Sequence, residues 1–230
     1  MGIQRWELRP EWRVSNQMSI APVETVNKTI SDDNQAACTP GSIATLGWTA
    51  LEQCVVACQR CDLHLGRTHT VFGSGSHSAE WMIIGEGPGA EEDRQGVPFV
   101  GRAGKLLDNM IYAIGLRRQE VYIANAVKCR PPENRDPKPE ELATCLPYLE
   151  RQIELLNPRI LLVLGRVAAQ SLLQTKLPLA KLRGKVHHYA SRRIPLVVTY
   201  HPAYLLRSPT QKRIAWKDLR LAKELLERGG

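Results

Sequence analysis

Glu86, Asn125 and His201 each stand just after an apolar run, in the stretches GEGPG (85–89), VYIAN (121–125) and RIPLVVTYHP (193–202). A carboxylate past a strand end can orient water or oppose developing positive charge. A histidine there can donate to a developing anion, and Pro202 restricts the backbone before it. The Asn125 amide donates and accepts together, which suits the edge of a nucleobase. Phe99, after GVP, can stack on a base or plug the core. Gly85 and Gly87 allow a tight turn and close ligand approach. GEGPG is not a dinucleotide fingerprint, because Ala90 stands at the last position and Pro88 lies within the turn. It is not a triphosphate loop either, since no GK[ST] follows.

The cysteines form a second group: Cys38, Cys54, Cys58, Cys61, Cys129 and Cys145. CVVACQRC (54–61) reads two ways. With Cys54 it has the C-x3-C-x2-C spacing of a radical-chemistry iron–sulfur site. Without it, Cys58 and Cys61 are half of a four-cysteine site completed by Cys129 and Cys145. Such a set suits zinc or an iron–sulfur cluster, and spacing alone does not separate the two. The four-cysteine reading is the more coherent, because Cys54 lies one turn before Cys58 on an apolar helix face and needs no metal. Cys38 is expected to be free.

The elements that must position these residues alternate. AEWMIIG, EVYIANAVKC, PRILLVLG and RIPLVVTYHP read as strands, and helical stretches separate them. One of these, 140–156, is interrupted at Pro147; the last helix puts Ala215, Leu219, Ala222 and Leu226 near one face. Continuous apolar strands between helices predict an α/β fold. Its form is a single three-layer α/β/α domain around a mainly parallel four-stranded sheet. Ligands in such folds sit past the carboxyl ends of the strands, where GEGPG, NAVKCRPP and HPAYLLR all fall. Residues 1–46, broken by prolines and polar residues, read as an N-terminal extension to a domain spanning 47–230.

Charge adds a partner class. From Lys176 to Arg228 there are 13 Lys or Arg against 3 Asp or Glu, while the whole chain carries +8. The basic excess therefore sits in the C-terminal quarter, which suggests a polyanion-facing surface. Leu205, Leu206 and Arg207 place an apolar pair beside a cation. That pattern fits a wedge entering DNA and equally fits an ordinary amphipathic turn. The start of the sequence has no apolar run, Trp6 replaces the Ser or Thr of a myristoylation signal, and no stretch reaches membrane-spanning length. The expectation is a cytoplasmic protein without membrane association.

CQRCDL, GEGPGAEEDRQGVPFVGRAGKLLD, VYIANAVKCRPPENRDPKPEE followed by Cys145, and HPAYLLR together resemble the family 4 uracil-DNA glycosylases, the iron–sulfur branch of that superfamily. The resemblance runs from about Cys54 to Arg228. It implies a [4Fe-4S] cluster on Cys58, Cys61, Cys129 and Cys145. It implies that Glu86 is the first-motif carboxylate, that Glu92 lies near C5 of the base and disfavours thymine, and that Phe99 stacks on uracil. By the same resemblance Asn125 reads the base edge, His201 acts near O2, and Leu205, Leu206 and Arg207 enter DNA at the flipped base. The partner implied is uracil-containing DNA, single- or double-stranded, met by a monomer. A related branch links covalently to DNA through a KRRIH loop, which this chain lacks, so turnover is expected. The other reading is a non-catalytic nucleic-acid-binding module with a structural zinc or iron–sulfur site.

Overall fold

The computed structural model describes residues 38–189 and 193–228. In chain order the strands are β1 (Ser74–Gly75), β2 (Trp81–Gly85), β3 (Val121–Asn125), β4 (Ile160–Leu164), β5 (Val186–Tyr189) and β6 (Ile194–Thr199). The helices are α1 (Pro40–Ile43), α2 (Trp48–Ala57), α3 (Ala90–Gln95), α4 (Arg102–Ala113), α5 (Pro139–Leu156), α6 (Arg166–Leu172), α7 (Leu179–Leu182), α8 (Pro202–Arg207) and α9 (Lys212–Arg228). Among the described residues the sheet has six strands, in the order β1-β3-β2-β4-β6-β5.

This corrects the expected four-stranded sheet. β3, β2, β4 and β6 are the four strands legible in the sequence, and they pair in parallel. β1 and β5 add antiparallel edges, so the sheet is mixed. Neither edge strand has an apolar run: β1 is Ser-Gly and β5 is Val-His-His-Tyr.

The parallel strands are apolar up to their carboxyl ends because helices cover both faces. Side chains alternate along each strand. Met82, Ile84, Leu161 and Val163 pack with Leu149 and Ile153 of α5 and Ala168 and Leu172 of α6. Ile83, Ile123, Leu162 and Val197 pack on the other face with Leu107 and Ile111 of α4 and Ala215, Leu219 and Ala222 of α9. α5 is one helix through Pro147.

A third apolar cluster joins Ile43 of α1, Leu51 and Val55 of α2, Phe72 and Tyr148. Trp48 stacks on His77 with ring centroids 4.1 Å apart. The part of the expected extension that is described therefore packs on the body: Ile43 is buried, and Arg151 Nε donates to the Leu46 carbonyl at 2.7 Å. Residues 1–37 of that extension lie outside the described residues. Cys38 is not free but forms a disulfide with Cys54, their Cα atoms 5.6 Å apart, within the range a disulfide spans. The same bond removes Cys54 from any three-cysteine radical site.

A buried ion pair anchors α9 to the end of β6. Arg183 Nη2 lies 2.5 Å from Asp218 Oδ2, and Thr199 Oγ1 donates to the same oxygen at 2.8 Å. The Arg183 guanidinium also lies 3.9 Å from the Tyr200 ring centroid. Both charged side chains are buried, so removing one strands the other. Asp218→Ala is expected to cost roughly 3–5 kcal/mol of stability, checked by urea unfolding.

Candidate active site

β2 is the sheet's turning point: the chain leaves it towards β3 on one side, then returns to β4 on the other. The carboxyl ends of these strands therefore open into a crevice. The register pairs Gly85 directly with Asn125. A cavity of about 440 Å³ lies there, and its wall includes Glu86, Glu92, Phe99, Asn125, His201 and Arg207. Residues singled out in three separate sequence stretches thus converge.

Gly85 makes the floor. A β-carbon there would lie 2.4 Å from Asn125 Oδ1 and 2.6 Å from Phe99 Cζ. The amide and the ring therefore close over the end of β2 only because that position has no side chain. Asn125 is 1% exposed and its Oδ1 has no hydrogen-bond partner. A buried acceptor left unpaired costs about 1–3 kcal/mol, so this oxygen is poised for a ligand donor. Beneath it, the buried Lys128 Nζ donates to the Asn125 carbonyl at 2.9 Å and to Gln152 Oε1 at 2.6 Å. Burial lowers the pKa of that lysine to about 8.

Phe99 sits at φ 53°, a conformation unfavourable for a bulky residue. Arg118 holds it there, donating to the carbonyls of Phe99 at 3.1 Å and Pro98 at 2.5 Å. Gly104 must stay small, since a β-carbon would meet the Phe99 carbonyl at 1.8 Å. The Phe99 and His201 rings lie 5.6 Å apart, tilted by 33°.

Glu92 is fully committed. As N3 of α3 it accepts from Gly89 N–H at 3.1 Å, and from Val100 and Gly101 N–H at 2.9 Å each. It ties GEGPG to the turn that carries Phe99 and forms a fixed wall of the cavity. Gly87 lies on the same wall, where a β-carbon would meet Val127 Cγ2 at 2.8 Å.

His201 is the N-cap of α8, and its Nδ1 accepts from Ala203 N–H at 3.2 Å. That bond puts the proton of the neutral ring on Nε2. Burial, helped by Arg207 and opposed by Glu92, lowers the His201 pKa to about 4. The ring is therefore a neutral donor at physiological pH. Burial raises Glu86 to about 7, with Asp136 adding to the rise and Arg166 opposing it.

Leu205 is only 1% exposed and belongs to the apolar core, whereas Leu206 and Tyr204 present 37% and 36% of their surface. Leu205 thus anchors α8, and the exposed positions beside Arg207 are Leu206 and Tyr204. The sequence reading missed Asn134, Arg135 and Asp136, which the proline-rich loop brings into the cavity wall. Their signal was the loop's place directly after β3.

The cysteine assignment is corrected. Among the described residues no group of three or more His, Cys, Asp or Glu is placed to hold a metal ion, which overturns the expected [4Fe-4S] cluster. Cys58, Cys61, Cys129 and Cys145 line a cavity of about 10 Å³, roughly one water molecule in size. Burial raises the thiol pKa of Cys61, Cys129 and Cys145, the last to about 12. Cys129 Sγ accepts from Arg67 at 3.2 Å, and Cys145 Sγ accepts from Lys128 N–H at 3.3 Å. As placed, they pack in the apolar cluster beneath α2, and the residues present do not fit the cluster.

Residues 72–220 match the family model of the uracil DNA glycosylase superfamily. The chain is 42% identical to the Type-4 uracil-DNA glycosylase of Archaeoglobus fulgidus, over 74% of this chain and 89% of that protein. It is 42% identical to the Type-4 enzyme of Thermotoga maritima, over 76% and 93%. It is 44% identical to that of Sulfurisphaera tokodaii, over 74% and 81%. Residues 72–220 contain every residue named above in the wall of the cavity over Gly85.

Gly85→Ala is expected to displace Asn125 and Phe99 and to lower glycosylase kcat/KM about 100-fold, with the folded state retained by circular dichroism.

Proposed function

The chain belongs to the uracil DNA glycosylase superfamily, with Type-4 uracil-DNA glycosylases as relatives, and from that premise we propose that the cavity over Gly85 hydrolyses the N-glycosidic bond of deoxyuridine in DNA. The product is free uracil and an abasic site, the first step of base excision repair. The observation that carries this reading is the buried, unpaired Asn125 Oδ1 beside Phe99 and His201. Uracil supplies the donor that oxygen lacks, through N3–H, and a flat face for Phe99.

A stacked base cannot reach the cavity, so the nucleotide must flip out of the helix, at a cost of a few kcal/mol. Leu206 is the exposed apolar side chain able to fill the vacated place, with Arg207 beside it on the DNA backbone. Lys212, Arg213 and Lys217, exposed on α9, extend the cationic surface for phosphates.

As the C1′–N1 bond breaks, its electron pair leaves with uracil and the sugar becomes oxocarbenium-like. His201 Nε2–H donates to uracil O2 and stabilises the departing anion. Glu86, as carboxylate, faces the cationic sugar and orients the water whose oxygen bonds to C1′; the proton that water loses passes to solvent, and the departing uracil anion takes one up from solvent. Glu92, held by three backbone N–H groups, is the rigid wall that a thymine methyl would meet. Lys128, tied to Asn125 and Gln152, is not available as an amine nucleophile, so the strand stays intact.

The direct test is uracil release from a labelled oligonucleotide carrying one deoxyuridine, with thymine in its place as control. Release from the uracil strand alone is expected; no release from folded protein over a range of salt would favour the binding module. His201→Ala is expected to bind this DNA with near-normal affinity and to cleave about 100- to 1,000-fold more slowly. Unchanged turnover would remove His201 from the chemistry. Asn125→Asp is expected to weaken uracil selection, read as the uracil-to-cytosine ratio of kcat/KM.

A further inference from the structure

The end of β3 is held differently on its two sides. Towards β2 the chain stays paired past the strand: Ala126 N–H donates to the Gly85 carbonyl at 2.9 Å, and Val127 N–H to the Glu86 carbonyl at 3.1 Å. On the other side β1 ends opposite Ile123, two residues short of Asn125. Asn125 is buried, so its carbonyl needs a donor from elsewhere. Lys128 folds back and supplies it from Nζ at 2.9 Å.

An ammonium is a costly donor to bury. Lys128 is 1% exposed, and both of its acceptors, the Asn125 carbonyl and Gln152 Oε1, are neutral. An apolar side chain of similar length would fill the same place without desolvating a charge. What the lysine adds is its hold on these two oxygens. Gln152, buried on α5, is fixed in turn. Its Nε2 donates to the Phe72 carbonyl at 2.9 Å and to Tyr122 Oη at 3.2 Å, which leaves Oε1 for Lys128 at 2.6 Å. Tyr122 belongs to β3, and its ring lies so close to Gly73 that a β-carbon there would meet Oη at 2.6 Å. The contacts therefore run from Asn125 through Lys128 and Gln152 back to β3 and to the chain entering β1.

We propose that Lys128, braced by Gln152, is a positioning residue for Asn125: it fixes the end of β3 against the cavity and so sets the selection of uracil. This rests on the reading of Asn125 as the amide that accepts from uracil N3–H. The cavity wall does not include Lys128, so its effect passes through the Asn125 backbone. A displacement of about 1 Å in a group that orients substrate costs on the order of 100-fold in rate.

The test is the affinity for free uracil and for free 3-methyluracil, by calorimetry, on variants whose fold is checked by circular dichroism. General loosening weakens both ligands alike and leaves the ratio of their affinities unchanged. Displacement of Asn125 removes the advantage of the N3–H donor and collapses the ratio. Lys128→Met keeps the apolar bulk of the side chain without its donors, and it is expected to bring the two affinities within about 2-fold of each other. Its kcat/KM for uracil release is expected to fall about 100-fold. Gln152→Leu leaves Lys128 on Asn125 but removes the brace, and is expected to narrow the preference by about 3-fold. If Lys128→Met does not fold, Gln152→Leu decides by the same ratio. Asn125→Ala is the reference and is expected to lose the preference. If Asn125→Ala loses it while Lys128→Met, or Gln152→Leu in its place, keeps that of the wild type, the proposal is overturned and the reading of Asn125 stands. If Asn125→Ala keeps it, the reading of Asn125 fails, and the proposal with it.

Discussion

Over Gly85 the side chains of Asn125 and Phe99 come within 2.4 and 2.6 Å of the place a β-carbon would occupy. The rest of the site depends on that close approach. It requires β2 and β3 to end in register, which the parallel pairing of Gly85 with Asn125 provides. It also requires Phe99 to be held at positive φ, which Arg118 does through two carbonyls. The sheet supplies position and the loops supply strain, and the two meet at a residue with no side chain.

Around this floor, the protein keeps its polar groups committed or deliberately unmatched. Glu92 and Lys128 have their partners within the fold. Asn125 Oδ1 does not. His201 spends Nδ1 on capping α8, which leaves a neutral ring with its proton on Nε2. A neutral donor suits a leaving group that becomes anionic, because it stabilises charge that forms only in the transition state. The buried Arg183–Asp218 pair holds α9 against the end of β6 and so steadies the turn that carries His201.

Much of this was legible from residue order alone. The four parallel strands announce themselves as apolar runs, and Glu86, Asn125 and His201 follow directly from the ends of three of them. What the sequence hid has particular causes. β1 and β5 are short edge strands whose pairing comes from their neighbours, not from their own side chains. Asp136 and Arg166 are 30 residues apart and meet only across the crevice. Leu205 and Leu206 look alike in sequence, but α8 turns the first into the core and the second outwards. The sequence shows how many cysteines there are and how they are spaced; which of them the fold buries, and that Cys38 bonds to Cys54, come from the packing of α1 and α2 on the body.

The most direct probe of the account is the affinity of the free protein for uracil compared with 3-methyluracil, by calorimetry or competition. The methyl group removes the one donor that the buried Asn125 oxygen lacks and leaves the stacking face intact. The account predicts that 3-methyluracil binds about 5- to 150-fold more weakly, the effect of an acceptor left unpaired at about 1–3 kcal/mol. Equal affinity for the two would contradict it, because Asn125 would then not be reading the base.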